Sequence, residues 1–356
     1  MEYFAGLDVS MKETSICVVD GAGEIVAETA VATEPEAIRW ALERYADHLA
    51  RVGHEAGALS PWLHRSLERL GLPIFCLETR HVHAALKAQR NKTDRNDARG
   101  IAQLVRSGWF NPIYLKSDAS YRLRFLLLHR RTLKRKFLDL ENAVRHSLKV
   151  FGIRLGGVGR GAFEARVREL VAGDRLLEGM MDSMLRARAA LWQEYKRLHT
   201  LVVQLVARDP VSRRLMGVPG VGPVTALAFR TAIDDPARFA RSRDVGAYFG
   251  LTPRRFQSGT SVDWDGRISR QGDDEVRTLL YEAASALLVR SKSWSSLKAW
   301  GLKIQRRRGH KKAVVAVARK LAIVMHAMWR DGSEFRFGRA PEAQHHGTET
   351  ALATAS

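Results

Sequence analysis

Cysteine is almost absent. Among 356 residues only Cys17 and Cys76 occur, each inside an apolar stretch. Two such thiols read as small buried hydrophobes in a reducing compartment, which excludes a disulfide scaffold. No Cys/His cluster has the spacing of a zinc site. Long apolar runs are missing as well. None reaches the length of a membrane span, and the N-terminus lacks a signal-peptide layout. Acidic residues are in deficit, with 38 Asp and Glu against 58 Lys and Arg, a formal net charge of +20. A pI near 10.5 points to a polyanion partner, nucleic acid before any membrane surface. A cytoplasmic, nucleoid-associated protein without a membrane partner is expected.

What is present is organised around Lys92-Thr93-Asp94-Arg95-Asn96-Asp97-Ala98. Asp94 and Asp97 head an apolar-periodic run, Ala98, Ile101, Ala102, Leu104 and Val105. On a helix, positions i and i+3 share a face, so both carboxylates aim one way. Clustered carboxylates repel unless a cation lies between them, and a divalent ion suits them. The plain alternative is a charged first turn, which a helix N-terminus favours.

Upstream, the spacing predicts strands over Tyr3 to Ser10, Thr14 to Asp20 and Glu24 to Thr33. Asp20-Gly21-Ala22-Gly23 is a hairpin signal between the last two. A helix from Glu34 to Leu49 with Pro35 in its first turn, a strand from Arg51 to Glu55, a helix capped by Ser60, and a strand from Leu72 to Leu77 follow. Three antiparallel strands and then alternating helix and strand is the order of an α/β ribonuclease-H-like fold. Asp8 on the first strand and Glu55 ending the fourth would then join Asp94 and Asp97. Four carboxylates from three segments make a hard-oxygen cage suited to two Mg²⁺, with Mn²⁺ as a substitute.

In the middle, Leu126, Leu133 and Leu140 are seven apart, as are Phe137, Val144 and Phe151. Heptads predict a long helix that pairs with another in a coiled coil. A second helical stretch, about Asp174 to Ala207, either folds back on it or continues outward. Basic residues outnumber acidic ones here, as in an arm that touches phosphates.

The C-terminal part reads as mainly α. Val218-Pro219-Gly220-Val221-Gly222-Pro223 resembles a helix-hairpin-helix turn whose amides suit a phosphate, with Gly220 and Gly222 as contacts. Leu251-Thr252-Pro253-Arg254-Arg255 and Gln257-Ser258-Gly259 follow as a loop, then Gly266-Arg267-Ile268-Ser269. Arg306, Arg307, Arg308, Lys311 and Lys312, with Trp294 and Trp300 nearby, suit nucleic acid. By themselves these features are also compatible with a tight helix-helix turn, an ordinary loop serine and a solvated basic face.

Together these motifs resemble the DEDD transposases of insertion-sequence family one-hundred-and-ten and the related Piv-type DNA invertases. Gly-Leu-Asp-Val-Ser, Glu-Ala-Gly and Lys-Thr-Asp-x-x-Asp-Ala carry the resemblance at one end. Pro-Gly-x-Gly-Pro, Gly-Leu-x-Pro-Arg, Gln-Ser-Gly and Gly-x-Ile-Ser-x-x-Gly carry it at the other. Ala56 stands where the family has Thr or Ser, and Thr260 and Ser261 where it commonly has Gly and Lys. The resemblance implies a RuvC-like catalytic domain over residues 1–118, a basic helical arm over 119–215 and a transposase domain over 216–337. Residues 338–356 read as a disordered tail. It implies Asp8, Glu55, Asp94 and Asp97 as Mg²⁺ ligands and Ser258 as a nucleophile that joins covalently to DNA. Lys92, Arg254 and Arg255 are expected to contact nucleic acid. It also implies donor and target DNA, a non-coding bridge RNA, and a homo-oligomer, dimer or tetramer. Serine needs a partner to lose its proton; a carboxylate–metal cluster would supply one. A junction-resolving nuclease, a DNA invertase and a non-catalytic nucleic-acid-binding protein are the rival readings.

Overall fold

A computed structural model describes residues 1–87, 93–258 and 262–338. The chain divides into two compact units, 1–116 and 117–356.

In the first unit the elements run β1 (Tyr3–Val9), β2 (Glu13–Asp20), β3 (Ile25–Ala32), α1 (Pro35–Ala41), β4 (Leu49–Glu55), α2 (Ser60–Arg69), β5 (Ile74–Leu77), α3 (Thr79–Leu86) and α4 (Asp94–Ser107). The sheet order is β3-β2-β1-β4-β5. The first three strands are antiparallel, and β4 and β5 run parallel to β1. This mixed α/β sheet is compatible with the ribonuclease-H-like order. Alternation along β1 sorts the layers. Ala5 and Leu7 bury against Ile38, Leu63 and Leu67 of α1 and α2. Phe4 belongs to the opposite core, with Ile101 and Val105 of α4.

Two expectations are corrected. The helix expected over Glu34 to Leu49 stops at Ala41 and gives way to a 3₁₀ turn, Glu43–His48. That turn buries Tyr45 edge-on to Tyr3, ring centroids 5.1 Å apart, and releases Leu49 into β4. A helix was also missed, α3, which follows β5 directly.

Glycine decides how close α4 lies. A Cβ on Gly6 would come within 2.2 Å of the Ala98 carbonyl oxygen and 2.3 Å of the Ala102 nitrogen. On the paired Gly53 it would meet a Val105 methyl at 2.4 Å. Both contacts on Gly6 are backbone and cannot yield. Gly6→Ala is therefore expected to destabilise this unit by about 1–3 kcal/mol or more, read as a lower thermal midpoint, with loss of activity in parallel. An unchanged midpoint would mean that α4 is not held by this approach.

The second unit holds α5 (Asp118–Ser147), α6 (Phe163–Val171), α7 (Arg175–Arg208), α8 (Pro210–Met216), α9 (Pro223–Ile233), α10 (Val245–Tyr248), β6 (Pro253–Ser258), β7 (Val262–Ile268), α11 (Asp274–Val289), α12 (Ser296–Arg308) and α13 (His310–Asp331). The long helix α7 folds back along α5. Of the heptad residues, Phe137 and Val144 are buried, while Leu126, Leu133 and Leu140 are half-buried. Phe151 falls outside the expected stripe: α5 has ended, and the side chain is 59 % exposed. Val144, Leu148, Phe163 and Leu185 form a small core of their own. A larger one gathers Phe229, Phe249, Leu280 and Leu321 from α9, α11, α13 and the segment after α10.

The stretch expected as a loop around Ser258 is instead an antiparallel hairpin, β6 with β7, pairing Phe256 with Trp264 and Ser258 with Val262. Aromatic residues directly opposite each other favour such pairing over a loop. Of the expected tail, 338–356, all but Gly338 lies outside the described residues.

Candidate active site

Thr93 caps α4, its hydroxyl accepting from the Asn96 amide at 3.2 Å. The helix therefore begins at Asp94, and Asp97 lies one turn in. Which end of β1 this turn overlies follows from the other end. Gln103 donates to the Gly23 carbonyl at 2.7 Å and Arg106 to the Gly21 carbonyl at 3.1 Å, in the β2–β3 turn. That turn adjoins the start of β1, where Tyr3 pairs with Asp20. So α4 runs antiparallel to β1, and its N-terminus points toward the end of β1, where Asp8 stands.

Gly6 and Gly53 are register partners and both face α4. Two residues further along each strand, alternation puts Asp8 and Glu55 on that same face. Leu7 pairs with His54, so Asp8 and Glu55 are one step beyond it, side by side on neighbouring parallel strands. Asp8, Glu55 and Asp97 are half-buried and Asp94 is exposed. Glu55 and Asp97 line one cleft of about 620 Å³ with Thr79, Arg80, His83 and Lys87. Asp8, Glu55, Asp94 and Asp97 would offer only carboxylate oxygens, the donor chemistry of a hard divalent cation. Among the described residues, no three His, Cys, Asp or Glu side chains are close enough together to hold a metal ion.

Sequence reasoning missed several groups here. Arg80, His83 and Lys87 reach the cleft through α3 or just after it, and no motif marked them. Glu28 on β3 accepts from Arg99 Nη2 at 2.8 Å and Arg95 Nε at 2.8 Å. Those hydrogen bonds, Arg99's first, hold its carboxyl down at about 2. They tie the first turns of α4 to β3, and nothing local in the sequence connects positions so far apart. Beneath Glu55, His54 is 1 % exposed, and its Nε2 lies 3.1 Å from His64 Nδ1. Burial, then His64, pushes His54 down to about 4. Ser60 accepts from the Gly57 amide at 2.8 Å and holds the turn after Glu55.

The remaining expected residues fall in different places. Lys92 lies outside the described residues. Ser258 ends β6, and its side chain lies outside the described part. Arg254 and Arg255 are exposed on β6, and Arg254 donates to the Ser269 carbonyl at 3.3 Å. Gly220 has φ +90°, and a Cβ there would strike the Ala283 carbonyl at 2.3 Å, so its lack of a side chain serves packing on α11. Gly222 is open and precedes Pro223 at the start of α9. Arg306, Arg307 and Arg308 occupy the last turn of α12, where the helix dipole favours cations. Lys311 and Lys312 occupy the first turn of α13, where it opposes them. All five are exposed.

A mixed sheet in this order, with carboxylates ending its first and fourth strands and two more opening the covering helix, is compatible with the class of ribonuclease-H-like enzymes that act on nucleic-acid phosphates. Residues 5–152 match a family described as Transposase, of the DEDD type, and residues 212–299 match the Transposase IS116/IS110/IS902 family. The chain is 28 % identical to a transposase for insertion sequence element IS1111A of Coxiella burnetii, over 94 % of this chain and 91 % of the relative. It is 26 % identical to the IS1328 transposase of Yersinia enterocolitica, over 80 % and 85 %. A pilin gene-inverting protein of Moraxella bovis is 25 % identical over 72 % and 71 %. The chain belongs to the IS110-type insertion-sequence transposases, enzymes that act on DNA.

Proposed function

We propose that this transposase cuts and rejoins DNA with a Mg²⁺-binding carboxylate set, Asp8, Glu55, Asp94 and Asp97, and a nucleophile, Ser258. The observation that carries the first half is the adjacency of Asp8 and Glu55 on the face that α4 covers, with the Asp94–Asp97 turn directed to that end. Bound there, a pair of divalent ions would offset charge on the attacking and leaving oxygens at phosphorus. Arg80 and Lys87, which line the cleft with Glu55 and Asp97, would meet the DNA phosphate. The proposed residue division is 1–118 for the carboxylate chemistry, 119–215 for the arm and 216–337 for the serine chemistry.

Ser258 would form a P–O bond to a DNA phosphate. The bond from that phosphorus to one strand oxygen breaks, and this oxygen leaves with a proton as a hydroxyl. Attack on the phosphoserine by a hydroxyl of another strand reverses the step, so rejoining needs no external energy source. Arg254, Arg255, Arg306, Arg307, Arg308, Lys311 and Lys312 would supply phosphate contacts, which set affinity without reading sequence. A non-coding bridge RNA and a homo-oligomer complete the proposal. The cation excess of +20 supports a polyanion partner of this kind.

The test uses purified protein on a plasmid carrying the element's ends. Chelation of divalent metal is expected to stop cleavage, and added Mg²⁺ or Mn²⁺ to restore it. Cleavage that persists in excess chelator would sink the carboxylate–metal half. RNA sequenced from the same preparation, and its sedimentation, test the guide and the oligomer. A second reading, inversion of a DNA segment, is favoured by the likeness to the pilin gene-inverting protein. Inverted and excised plasmid products would tell the two apart.

A further inference from the structure

The β6–β7 hairpin carries an aromatic pair that no core among the described residues uses. Phe256 and Trp264 face each other across the strands, centroids 4.5 Å apart and rings 18° from parallel. They are 44 % and 55 % exposed, and neither belongs to any of the hydrophobic cores. Burying such rings stabilises far more than exposing them, so a half-bare stacked pair asks for an occupant. Gly266 makes room for it: a Cβ there would come to 3.0 Å from Phe256 and 3.3 Å from Trp264.

The hairpin's base is rigid. Gly250 and Gly272, both at positive φ, pack so tightly that a Cβ on either would strike backbone at 2.3 Å and 2.0 Å. Arg277 Nη1 bridges the Phe249 and Gln271 carbonyls at 3.1 and 2.9 Å. Arg254, Arg255 and Arg267 are exposed along the ribbon and Arg270 at its foot. Asp263 and Asp265 pair in register with Gln257 and Arg255, so the cations exceed the carboxylates by two (four against two). An aromatic pair on a ribbon of net positive charge suits a flat ring attached to a phosphate.

We propose that Phe256 and Trp264 form a stacking platform for one unpaired base of a DNA strand. The base is the one flanking the phosphate assigned to Ser258, which lies two residues, about 7 Å, beyond Phe256 on the same strand. That location rests on the serine reading; the stacking itself does not. It gives the hairpin a role in holding an unpaired strand end through cleavage and rejoining.

The experiment uses the full chain and a single-stranded DNA oligonucleotide carrying 2-aminopurine, whose fluorescence falls when it stacks. Wild type is expected to quench it, and Trp264→Phe to retain most of the quenching. Trp264→Val keeps strand propensity but offers no ring. It is expected to lose the quenching and weaken binding about five- to a hundred-fold. Phe256→Val should act in the same direction. Equal quenching and affinity in both valine variants would overturn the platform. A halogenated pyrimidine in the same oligonucleotide, irradiated with wild-type protein, should crosslink to Trp264 or Phe256. Crosslinks only elsewhere would overturn it without relying on any variant's folding. If an RNA of the same sequence binds tighter and loses more on Trp264→Val, the platform belongs to RNA and the DNA assignment fails. Ser258→Ala should keep the quenching. If Ser258→Ala also keeps its covalent adduct, the serine reading falls and the platform stands.

Discussion

Asp97→Asn is expected to lower strand cleavage about a thousandfold and to leave DNA affinity within a factor of about two. The substitution keeps the shape of the side chain and removes its charge. A carboxylate that helps hold divalent ions lowers the reaction barrier by several kcal/mol, and each ~1.4 kcal/mol is tenfold in rate. Binding rests on Lys and Arg against phosphates, and Asp97 adds nothing to it. Asp97 is the sharper choice than Asp94 because it lines the cleft with Glu55. Asp94→Asn is expected to abolish cleavage too. The measurement pairs a labelled-DNA cleavage time course in Mg²⁺ with a filter-binding titration. Wild-type cleavage by Asp97→Asn would remove it from the site. Loss of binding together with cleavage would mean that the substitution disturbs α4 instead.

The second large effect is expected at Ser258. Wild type should leave protein covalently joined to one DNA end, and Ser258→Ala should abolish that adduct. Ser258→Cys should retain a little, since a thiol can also attack phosphorus. Two neighbouring serines serve as controls. Ser261 lies outside the described residues. Ser269 has its amide bonded to the Thr252 carbonyl at 2.9 Å, at the base of the hairpin. Ser261→Ala and Ser269→Ala should both keep the adduct. A denaturing gel of labelled DNA, with and without protease, reads all four variants. Normal cutting by Ser258→Ala with no protease-sensitive shift would leave a carboxylate nuclease in which water attacks.

Much of the first unit is legible in the amino-acid sequence. Alternation in Tyr3–Val9 and the capped, 3.6-periodic run after Thr93 follow from local rules that need no distant partner. The four acidic residues stand out through their motifs. How Asp8 and Glu55 come to lie on the face that α4 covers does not. That rests on Gly6 and Gly53, whose missing side chains let α4 settle on the sheet within backbone contact. The steric bar becomes visible only once the helix lies across both strands. The Glu28 clamp is of the same kind, because its partners Arg95 and Arg99 are brought to β3 by that docking.

In the second unit the boundary falls elsewhere. Heptads announce a long helix but not its partner, since an apolar stripe buries equally well against its own chain or another. Folding decides for α7, with Phe137 and Val144 fully covered within the chain. The hairpin of β6 and β7 is hard to read locally because its alternation is short and the sequence between the strands lacks an Asn-Gly signature. Cross-strand pairing of Phe256 with Trp264 makes it a strand pair. Local periodicity is written residue by residue and so belongs to the sequence alone. Which faces meet depends on burial and close backbone approach between segments far apart in the chain, and only the tertiary structure decides that.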